Sequence, residues 1–176
     1  MSPNDPKQSV ETRCSIAVFR GESVLLIRSL EDGGPVWKLP GGHIQANEGL
    51  TACARRELRE ETGLTAKELH CALVLDVHDP DTARFMVEII VIPDEEVEGQ
   101  PRECEEGREP LFVEMGELRN LQLRPKVDTL LQDLQDLHDL HSSDGGAPER
   151  SSQYADTHDF DLPRITAVAH DPKQRR

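Results

Sequence analysis

The stretch that decides the fold runs from Gly42 to Leu64 and reads GHIQANEGLTACARRELREETGL. We predict a helix over residues 48–62, because apolar residues recur at every fourth position from Leu50 onward. Asn47 is a suitable N-cap for this helix, and Gly63 suits the left-handed position that follows a helix. The stretch therefore predicts a loop, then a helix of about four turns, then a glycine stop.

Three glutamates of the predicted helix share one face. Glu57, Glu60 and Glu61 are spaced i, i+3 and i+4, which brings their carboxylates together. Such carboxylates repel one another, and a hard divalent cation, Mg²⁺ or Mn²⁺ in its place, would offset the repulsion. A solvated acidic face, partnered by the arginines of the same helix, explains the pattern as well. The glycines and Glu48 at fixed spacing before the helix favour the metal site.

The whole stretch resembles the Nudix box of MutT-like hydrolases. Seven positions of that pattern are fixed, and this chain fills them with Gly42, Glu48, Arg56, Glu57, Glu60, Glu61 and Gly63. Leu58 and Leu64 fill two apolar positions, and no position departs from the pattern. At average residue usage, such a match arises by chance about once in 10⁸ windows. The resemblance implies an α/β fold of the Nudix type, an α/β/α sandwich with a mixed central β-sheet.

The resemblance also implies roles for the residues of the box. The metal ligands it implies are three glutamates and one backbone carbonyl of the glycine pair: Glu57, Glu60, Glu61, and Gly41 or Gly42. Arg56 would orient the carboxylates through a salt bridge, so that Arg56, Glu57 and Glu60 are the expected catalytic residues of the helix. Glu48 and Gly63 are expected to be structural, with Glu48 bracing the loop against the helix.

A glutamate outside the box is a further candidate. Residues 94–110 are rich in acidic residues, glycine and proline, which predicts a long loop. MutT-like members carry a metal-binding glutamate shortly before an aromatic strand residue, and the resemblance implies Glu106, before Phe112, for that role. We therefore expect Glu106 to bind metal and to act in catalysis, with Glu105, Glu103 and Glu109 as the next choices. A box glutamate stays open as the general base.

Two candidates for substrate binding precede the box. The resemblance implies that Arg28, at the end of a predicted strand, contacts a substrate phosphate, although a surface charge at a strand end explains this arginine equally well. Trp37 is the single tryptophan and could stack on a base. Packing beside Leu39 is the favoured role for this side chain.

The flanking segments predict the remaining elements. Apolar, β-branched runs predict strands over 15–19, 23–28, 70–78, 84–92 and 111–114, with a hairpin turn at 20–22 and a glycine turn after Trp37. Pro125 predicts the start of a second helix that runs to about His141. We expect a flexible segment over 1–9, a Nudix domain over 10–141 and a disordered tail over 142–176.

The composition excludes several classes of protein. Against 34 Asp+Glu the chain has 20 Lys+Arg, and the formal charge of −14 disfavours a nucleic-acid polymer as partner. No run of about 18 apolar residues predicts a membrane span, and residues 1–9 lack the apolar core of a signal peptide. The four cysteines have no CxxC spacing, so we expect reduced thiols in a cytoplasmic protein.

The expected function is metal-dependent hydrolysis of a diphosphate linkage in a small nucleotide. The favoured substrate is a nucleoside triphosphate, oxidised or non-standard in kind, which would be cut to monophosphate and pyrophosphate. ADP-ribose or a nucleotide sugar is the second choice, for which the position of Pro80 is weak support. A Nudix domain that senses a nucleotide without catalysis is the third. The leucine-rich second helix either packs on the core or forms a homodimer.

Overall fold

The computed structural model describes residues 10–79 and 84–143. The elements follow in chain order: β1 (Glu11–Ile16), β2 (Phe19–Arg20), β3 (Ser23–Glu31), β4 (Gly34–Lys38), β5 (Gly41–His43), α1 (Leu50–Thr62), β6 (Leu69–Asp79), β7 (Arg84–Pro93), β8 (Arg108–Glu114), a 3₁₀ helix (Met115–Asn120) and α2 (Asp128–Ser143). The predicted flexible start over 1–9, Pro80, and the predicted tail from residue 144 onward lie outside the described residues.

The eight strands form two sheets of four. The first sheet has the order β5-β1-β7-β6, in which β1 runs parallel to β7 and the other pairs are antiparallel. The second sheet is antiparallel, and its long strand β3 pairs with β8 on one edge and with β2 and β4 on the other. The predicted mixed sheet is therefore confirmed, and a second sheet accompanies it.

The strand predicted over 15–19 is divided between the two sheets. Its first residues belong to β1 and its last residue to β2, and the connecting Ile16–Val18 segment is buried. Ala17 donates its N–H to the carbonyl of Val91 in β7. Val18 accepts the N–H of Leu25 in β3. Because buried backbone groups require partners, these bonds allow the chain to pass from one sheet to the other inside the core.

Each face of the sheets carries its own apolar core. The core on the α1 side contains Cys14, Ile16, Leu25, Val91, Cys53, Ala54 and Leu58. The core on the α2 side contains Val24, Leu26, Ile90, Ile92, Val127, Leu131 and Leu134. Successive strand residues point to opposite faces, so neighbours in β3 and β7 contribute to different cores. One helix covers each face, which confirms the predicted α/β/α sandwich.

Helix α1 matches the predicted helix except at its start. It begins at Leu50 with Gly49 as the N-cap, so the prediction of Asn47 as N-cap is wrong. Asn47 adopts a left-handed φ of 64° in the turn before the helix, a conformation that asparagine tolerates better than most residues. Gly63 ends the helix as predicted, with a φ of 73° and its N–H donated to the carbonyl of Arg59 at 3.0 Å.

Helix α2 begins at Asp128, three residues later than predicted from Pro125. The preceding backbone is extended instead, because it pairs with Trp37. The Trp37 N–H donates to Gln122 and the Arg124 N–H donates to Trp37, each over 2.9 Å. The helix begins at Asp128, beyond the last of these bonds at Arg124.

The apolar stripe of α2 faces the chain's own core. Val127, Leu131 and Leu134 are all buried there. This packing favours the core-packing alternative for the helix over the homodimer. Neither α1, with 13 residues, nor α2, with 16, is long and apolar enough to span a membrane.

All four cysteines are free thiols, as predicted. Burial raises the pKa of Cys14 to about 12 and that of Cys53 to about 11, so both thiols stay protonated at neutral pH. Cys71 is only half-buried, and Cys104 is exposed.

Candidate active site

Arg56 holds together the acidic face of α1. Its guanidinium donates to both carboxylate oxygens of Glu48, over 2.7 and 2.9 Å. Its Nη1 also donates to Glu57 Oε1 at 2.6 Å and to Glu60 Oε2 at 3.1 Å. Positions 56 and 60 are about one helical turn apart, which allows the second contact. The Arg56 guanidinium therefore contacts the carboxylates of three glutamates and orients them.

Glu48 joins the loop before α1 to the helix. In addition to its two bonds from Arg56, its carboxylate accepts the N–H of Gln45 at 3.0 Å. Hydrogen bonding from Arg56, followed by that from Gln45, lowers the pKa of Glu48 from 4.5 to about 2. Hydrogen bonds to Glu48, and then to Glu57 and Glu60, raise the pKa of Arg56. Glu48 thus links the loop, through Gln45, to helix α1, through Arg56.

The glycine pair lies in strand β5 rather than in the predicted turn. Residues 41–43 pair with residues 13–15 of β1, which extends the backbone. A side-chain carbon on Gly42 would collide with the carboxylate of Glu57. A side-chain carbon on Gly41 would collide with the backbone of Cys14 and Ser15. Glycine at both positions therefore allows β5 to lie against α1 and β1 at this distance.

Glu61 is the buried member of the acidic face. Its side chain is 4% exposed. Oε2 accepts the N–H of Gly41 at 2.8 Å, and Oε1 accepts a hydrogen bond from Arg108 at 2.5 Å. Burial raises the pKa of Glu61, and the Gly41 N–H and the Arg108 charge oppose that rise. Glu61 thereby connects α1 to β5 and to the start of β8.

The acidic face opens into a cleft of about 710 Å³, here called the acidic compartment. Its lining comes from β1, from β5 and the residues after it, from α1, and from the chain that leads into β8: Arg13, Gly41, Gly42, His43, Ile44, Gln45, Glu57, Glu60, Glu61, Cys104, Glu105 and Arg108. Four glutamates therefore line one cleft. Their carboxylates are the hard oxygen donors that Mg²⁺ and Mn²⁺ prefer.

A smaller compartment of about 260 Å³ adjoins the acidic compartment. Arg13, Glu61 and Arg108 line both of them. The smaller compartment is completed by residues of β3, β4 and the following chain: Ile27, Ser29, Glu31, Lys38 and Leu39. It combines apolar side chains with three cationic ones and two carboxylates, whereas four carboxylates line the larger compartment.

The structure brings Glu105, and not Glu106, to the cleft. Glu105 Oε2 lies 3.1 Å from Arg108 Nη1. Glu106 and Gly107 form the tip of a turn that is closed by the Arg108 N–H, which donates to the Glu105 carbonyl at 3.0 Å. Glu103 caps the same turn by accepting the Gly107 N–H at 2.7 Å. Glu106 is exposed at this tip and does not line either compartment.

Arg28 and Trp37, the predicted substrate-binding residues, also lie outside the cleft. Ile27 and Ser29 of β3 line the smaller compartment, and Arg28 between them faces the other way. Arg28 pairs with Glu109 and lies over the Trp37 ring, 5.9 Å from its centroid. Trp37 packs against the core on the α2 side, which agrees with the packing role.

Three cationic side chains that line the two compartments were missed from the sequence, namely Arg13, Lys38 and Arg108. A usable pattern exists for one of them. Arg13 and Ser15 are polar positions that alternate with Cys14 and Ile16 in a strand-forming run. That period of two predicts a polar face on β1, but it does not show what the face contacts.

The donor set fits a divalent cation. Within the described residues, no three His, Cys, Asp or Glu side chains are already grouped to hold a metal ion. Arg56 pairs with Glu57 and Glu60, and Arg108 pairs with Glu61 and Glu105. The pairs to Glu60 and Glu105 are partly exposed, and ion pairs of this kind are weak. A doubly charged ion can therefore compete with the arginines for the carboxylates.

The fold and the box together match a known family. The family model of the NUDIX domain matches residues 11–134. The chain belongs to the NUDIX domain family. The match extends from β1 into α2 and so includes both sheets and the whole cleft.

Comparison with individual proteins agrees with this NUDIX assignment. Phosphatase NudJ of Escherichia coli (strain K12) is 33% identical over 73 residues, which are 42% of this chain and 48% of that protein. The chain thus spans about half the length of the curated relatives it matches.

Solved structures show the same fold. The MutT NUDIX hydrolase of Burkholderia pseudomallei aligns with a TM-score of 0.55 at 24% identity, over 61% of this chain and 85% of that one. A bifunctional NMN adenylyltransferase/ADP ribose pyrophosphatase of Francisella tularensis aligns with a TM-score of 0.59 at 17% identity, over 73% and 42%.

Proposed function

We propose that this NUDIX chain is a divalent-cation-dependent pyrophosphohydrolase that cleaves a diphosphate linkage in a small nucleotide. The observation that carries the proposal is the composition of the cleft. Four carboxylates line one compartment, and Arg13, Lys38 and Arg108 line the adjoining one together with two carboxylates. A polyphosphate requires positive charge, which a metal supplies at the carboxylates and which side chains supply beside them. Membership of the NUDIX family supports the same class of reaction.

The proposal assigns a role to each acidic residue of the cleft. Glu57, Glu60 and Glu61 hold Mg²⁺, or Mn²⁺ in its place, together with a backbone carbonyl of Gly41 or Gly42. When bound, the cation neutralises charge on phosphate oxygens and lowers the pKa of water. Arg56, held by its bonds to Glu48, fixes the orientation of Glu57 and Glu60.

The attacking water requires a proton acceptor. We assign this role to Glu105, which lines the acidic compartment from the side of β8 while the box glutamates line it from α1. The Glu105 carboxylate takes a proton from the water as the water oxygen attacks phosphorus, and the diphosphate linkage breaks on the opposite side. Arg108 contacts both Glu105 and Glu61, and so keeps the acceptor next to the metal-binding face.

A nucleoside triphosphate, oxidised or non-standard in kind, is the favoured substrate. One mixed compartment beside one acidic compartment suits a molecule with one nucleoside and one polyphosphate chain. The products would be a monophosphate and pyrophosphate. ADP-ribose or a nucleotide sugar is the second candidate, supported by the name of the Francisella tularensis neighbour, which includes ADP ribose pyrophosphatase.

The test is a hydrolysis panel with and without Mg²⁺, with identification of the products. The panel contains the common nucleoside triphosphates, 8-oxo-dGTP, ADP-ribose, nucleotide sugars and dinucleoside polyphosphates. Release of pyrophosphate and a monophosphate supports the favoured substrate, whereas cleavage of ADP-ribose or a sugar nucleotide alone supports the second candidate. Nucleotide binding without turnover would contradict the enzyme proposal and support a nucleotide sensor.

The proposal includes a cytoplasmic location and a small nucleotide as the partner molecule. The free thiols are consistent with a reducing compartment. The formal charge of −14 disfavours a nucleic-acid polymer. Fractionation of cells that express the tagged chain would check the location, because recovery with membranes or in the medium would contradict it.

A further inference from the structure

Strands β1 and β7 share a pair of buried polar side chains that the proposed chemistry does not use. Glu88, in the middle of β7, is 1% exposed, and Ser15 beside it is fully buried. The Ser15 hydroxyl donates to Glu88 Oε1 at 2.5 Å. Glu88 lies in the run RFMVEIIVIP, where every other position near it is apolar. An isolated buried carboxylate is destabilising by several kcal/mol unless it is well paired, so its partner in the structure matters.

That partner is Arg13, which stands opposite Glu88 in the register between β1 and β7. Arg13 Nε donates to Ser15 Oγ at 3.3 Å and lies 3.6 Å from Glu88 Oε1. Arg13 Nη2 donates to the carbonyl of Leu39 at 3.4 Å. Three groups thus hold the guanidinium: the Glu88 carboxylate, the Ser15 hydroxyl and the Leu39 carbonyl. Its side chain keeps 20% exposure.

The exposed part of Arg13 lies where the two compartments meet. Arg13 and Arg108 are the arginines that line both of them. The Arg108 guanidinium is already engaged by Glu61 and Glu105, two carboxylates of the cleft. The acidic partner of Arg13 is instead Glu88, which lies behind the cleft wall. The salt bridge of Arg13 is therefore to a carboxylate outside the lining of both compartments, and part of the guanidinium side chain stays exposed at their junction.

We propose that Arg13 binds a phosphate oxygen of the substrate at the junction of the two compartments, and that Glu88 and Ser15 are its positioning residues. This inference rests on the proposed function, because it places the diphosphate across that junction. A guanidinium held in one orientation loses little side-chain entropy on binding, and it donates to phosphate through two N–H groups in a fixed geometry. The carboxylate of Glu88 fixes that geometry at a distance from the reacting atoms.

The first test measures kcat and KM for the hydrolysed substrate in the 176-residue chain. Arg13→Ala is expected to raise KM about 10- to 100-fold and to change kcat little, since the contact is present in substrate and transition state alike. Arg13→Lys is expected to recover part of the loss. The matched control is Arg119→Ala, an exposed arginine of the 3₁₀ helix outside both compartments, which should leave both constants unchanged.

The second test separates positioning from general stability. Glu88→Gln is expected to raise KM about 3- to 10-fold when Arg13 is present and to have no further effect in Arg13→Ala. Because Arg13→Ala leaves the buried Glu88 carboxylate without a cationic partner, the double variant R13Q/E88Q, which removes both charged groups, is the reference for folding. Equal losses from Glu88→Gln in both backgrounds would overturn the positioning role, and an unchanged KM in Arg13→Ala would overturn the phosphate contact.

Calorimetric binding of inorganic pyrophosphate in the presence of Mg²⁺ keeps the two proposals distinguishable. If the wild-type chain hydrolyses nothing in the panel, the proposed function fails, and pyrophosphate binding still tests Arg13. Binding that weakens about 10- to 100-fold in Arg13→Ala supports the site. Equal binding by both proteins, or no binding by the wild-type chain, would overturn it.

Discussion

Two acidic regions border the cleft, and they hold their carboxylates in different ways. On α1, one arginine contacts Glu48, Glu57 and Glu60, so these side chains form one connected group. In the loop over 94–107, Glu103 and Glu105 have different partners. Glu105 pairs with Arg108 beside the cleft, and Glu103 caps a turn. The helix holds its carboxylates jointly through residue spacing, whereas Glu103 and Glu105 of the loop are each held by a different local contact.

The largest expected effect comes from the connected group. Glu60→Gln should lower kcat about 10²- to 10³-fold in the presence of Mg²⁺, because it removes a negative metal ligand from the helix face. The side chain of Glu60 is 53% exposed, so the melting temperature should change little. Steady-state kinetics and thermal unfolding measure the two effects. Glu68→Gln, an exposed glutamate outside the cleft, is the control. A normal rate in Glu60→Gln would contradict the assignment of α1.

The next effect distinguishes two neighbours in the loop. Glu105→Gln should lower kcat about 10²-fold, as expected for loss of a general base, while Glu106→Gln should stay within about twofold of wild type. The two variants remove the same charge from adjacent positions, so each is the control for the other. Single-turnover rates measure the effect on the chemical step. The reverse order of effects would show that Glu106, as first expected from the sequence, is the residue that acts.

A smaller effect concerns the pH dependence of stability. The pKa of Glu48 is about 2 in the folded chain against an ordinary 4.5, so its ionised form is favoured by folding. That contribution is fully present above pH 4.5 and is lost as the pH falls toward 2. The difference in urea midpoint between wild type and Glu48→Gln should therefore be constant from pH 5 to 8 and shrink below pH 4.5. A difference that does not depend on pH would exclude the ionised contact with Arg56 as its cause.

The smallest expected effect is at Arg28. Because this side chain contacts Glu109 and Trp37 away from the cleft, Arg28→Ala should change KM less than about twofold. The measurement is the same substrate titration as for Lys38→Ala, which removes a cation that lines the smaller compartment. A larger rise in KM for Arg28→Ala than for Lys38→Ala would contradict this placement and support Arg28 as a substrate-binding residue.

These contrasts show which parts of the site the sequence could predict. The spacing of Glu57, Glu60 and Glu61 predicts their shared face, because a helix repeats every few residues and the positions are local. Arg28 illustrates the limit. Whether Arg28 or Ser29 faces the cleft depends on a shift of one residue in β3, and nothing in the local pattern decides that shift.

The fold, like the site, has parts that local sequence patterns predict and parts that depend on distant pairing. The apolar strands β6 and β7 and the regularly patterned helix α1 match their predicted ranges to within two residues at each end. The division of residues 15–19 between two sheets was not predicted, because it depends on which distant strands pair with each residue. The position of Arg13 beside Glu88 has the same origin, since it follows from the register between β1 and β7. A sequence pattern shows which residues share a face of a strand or helix, whereas the strands that pair with one another depend on the fold of the whole chain.

The buried Ile16–Val18 crossing has a consequence for how the molecule opens. Its backbone is bonded to β7 of the mixed sheet through Ala17 and to β3 of the antiparallel sheet through Val18. Separating either sheet from its neighbours therefore breaks bonds of a segment that also belongs to the other. The two sheets should behave as one cooperative unit in native-state hydrogen exchange, with the amides of β3 and β7 becoming exposed in the same opening event.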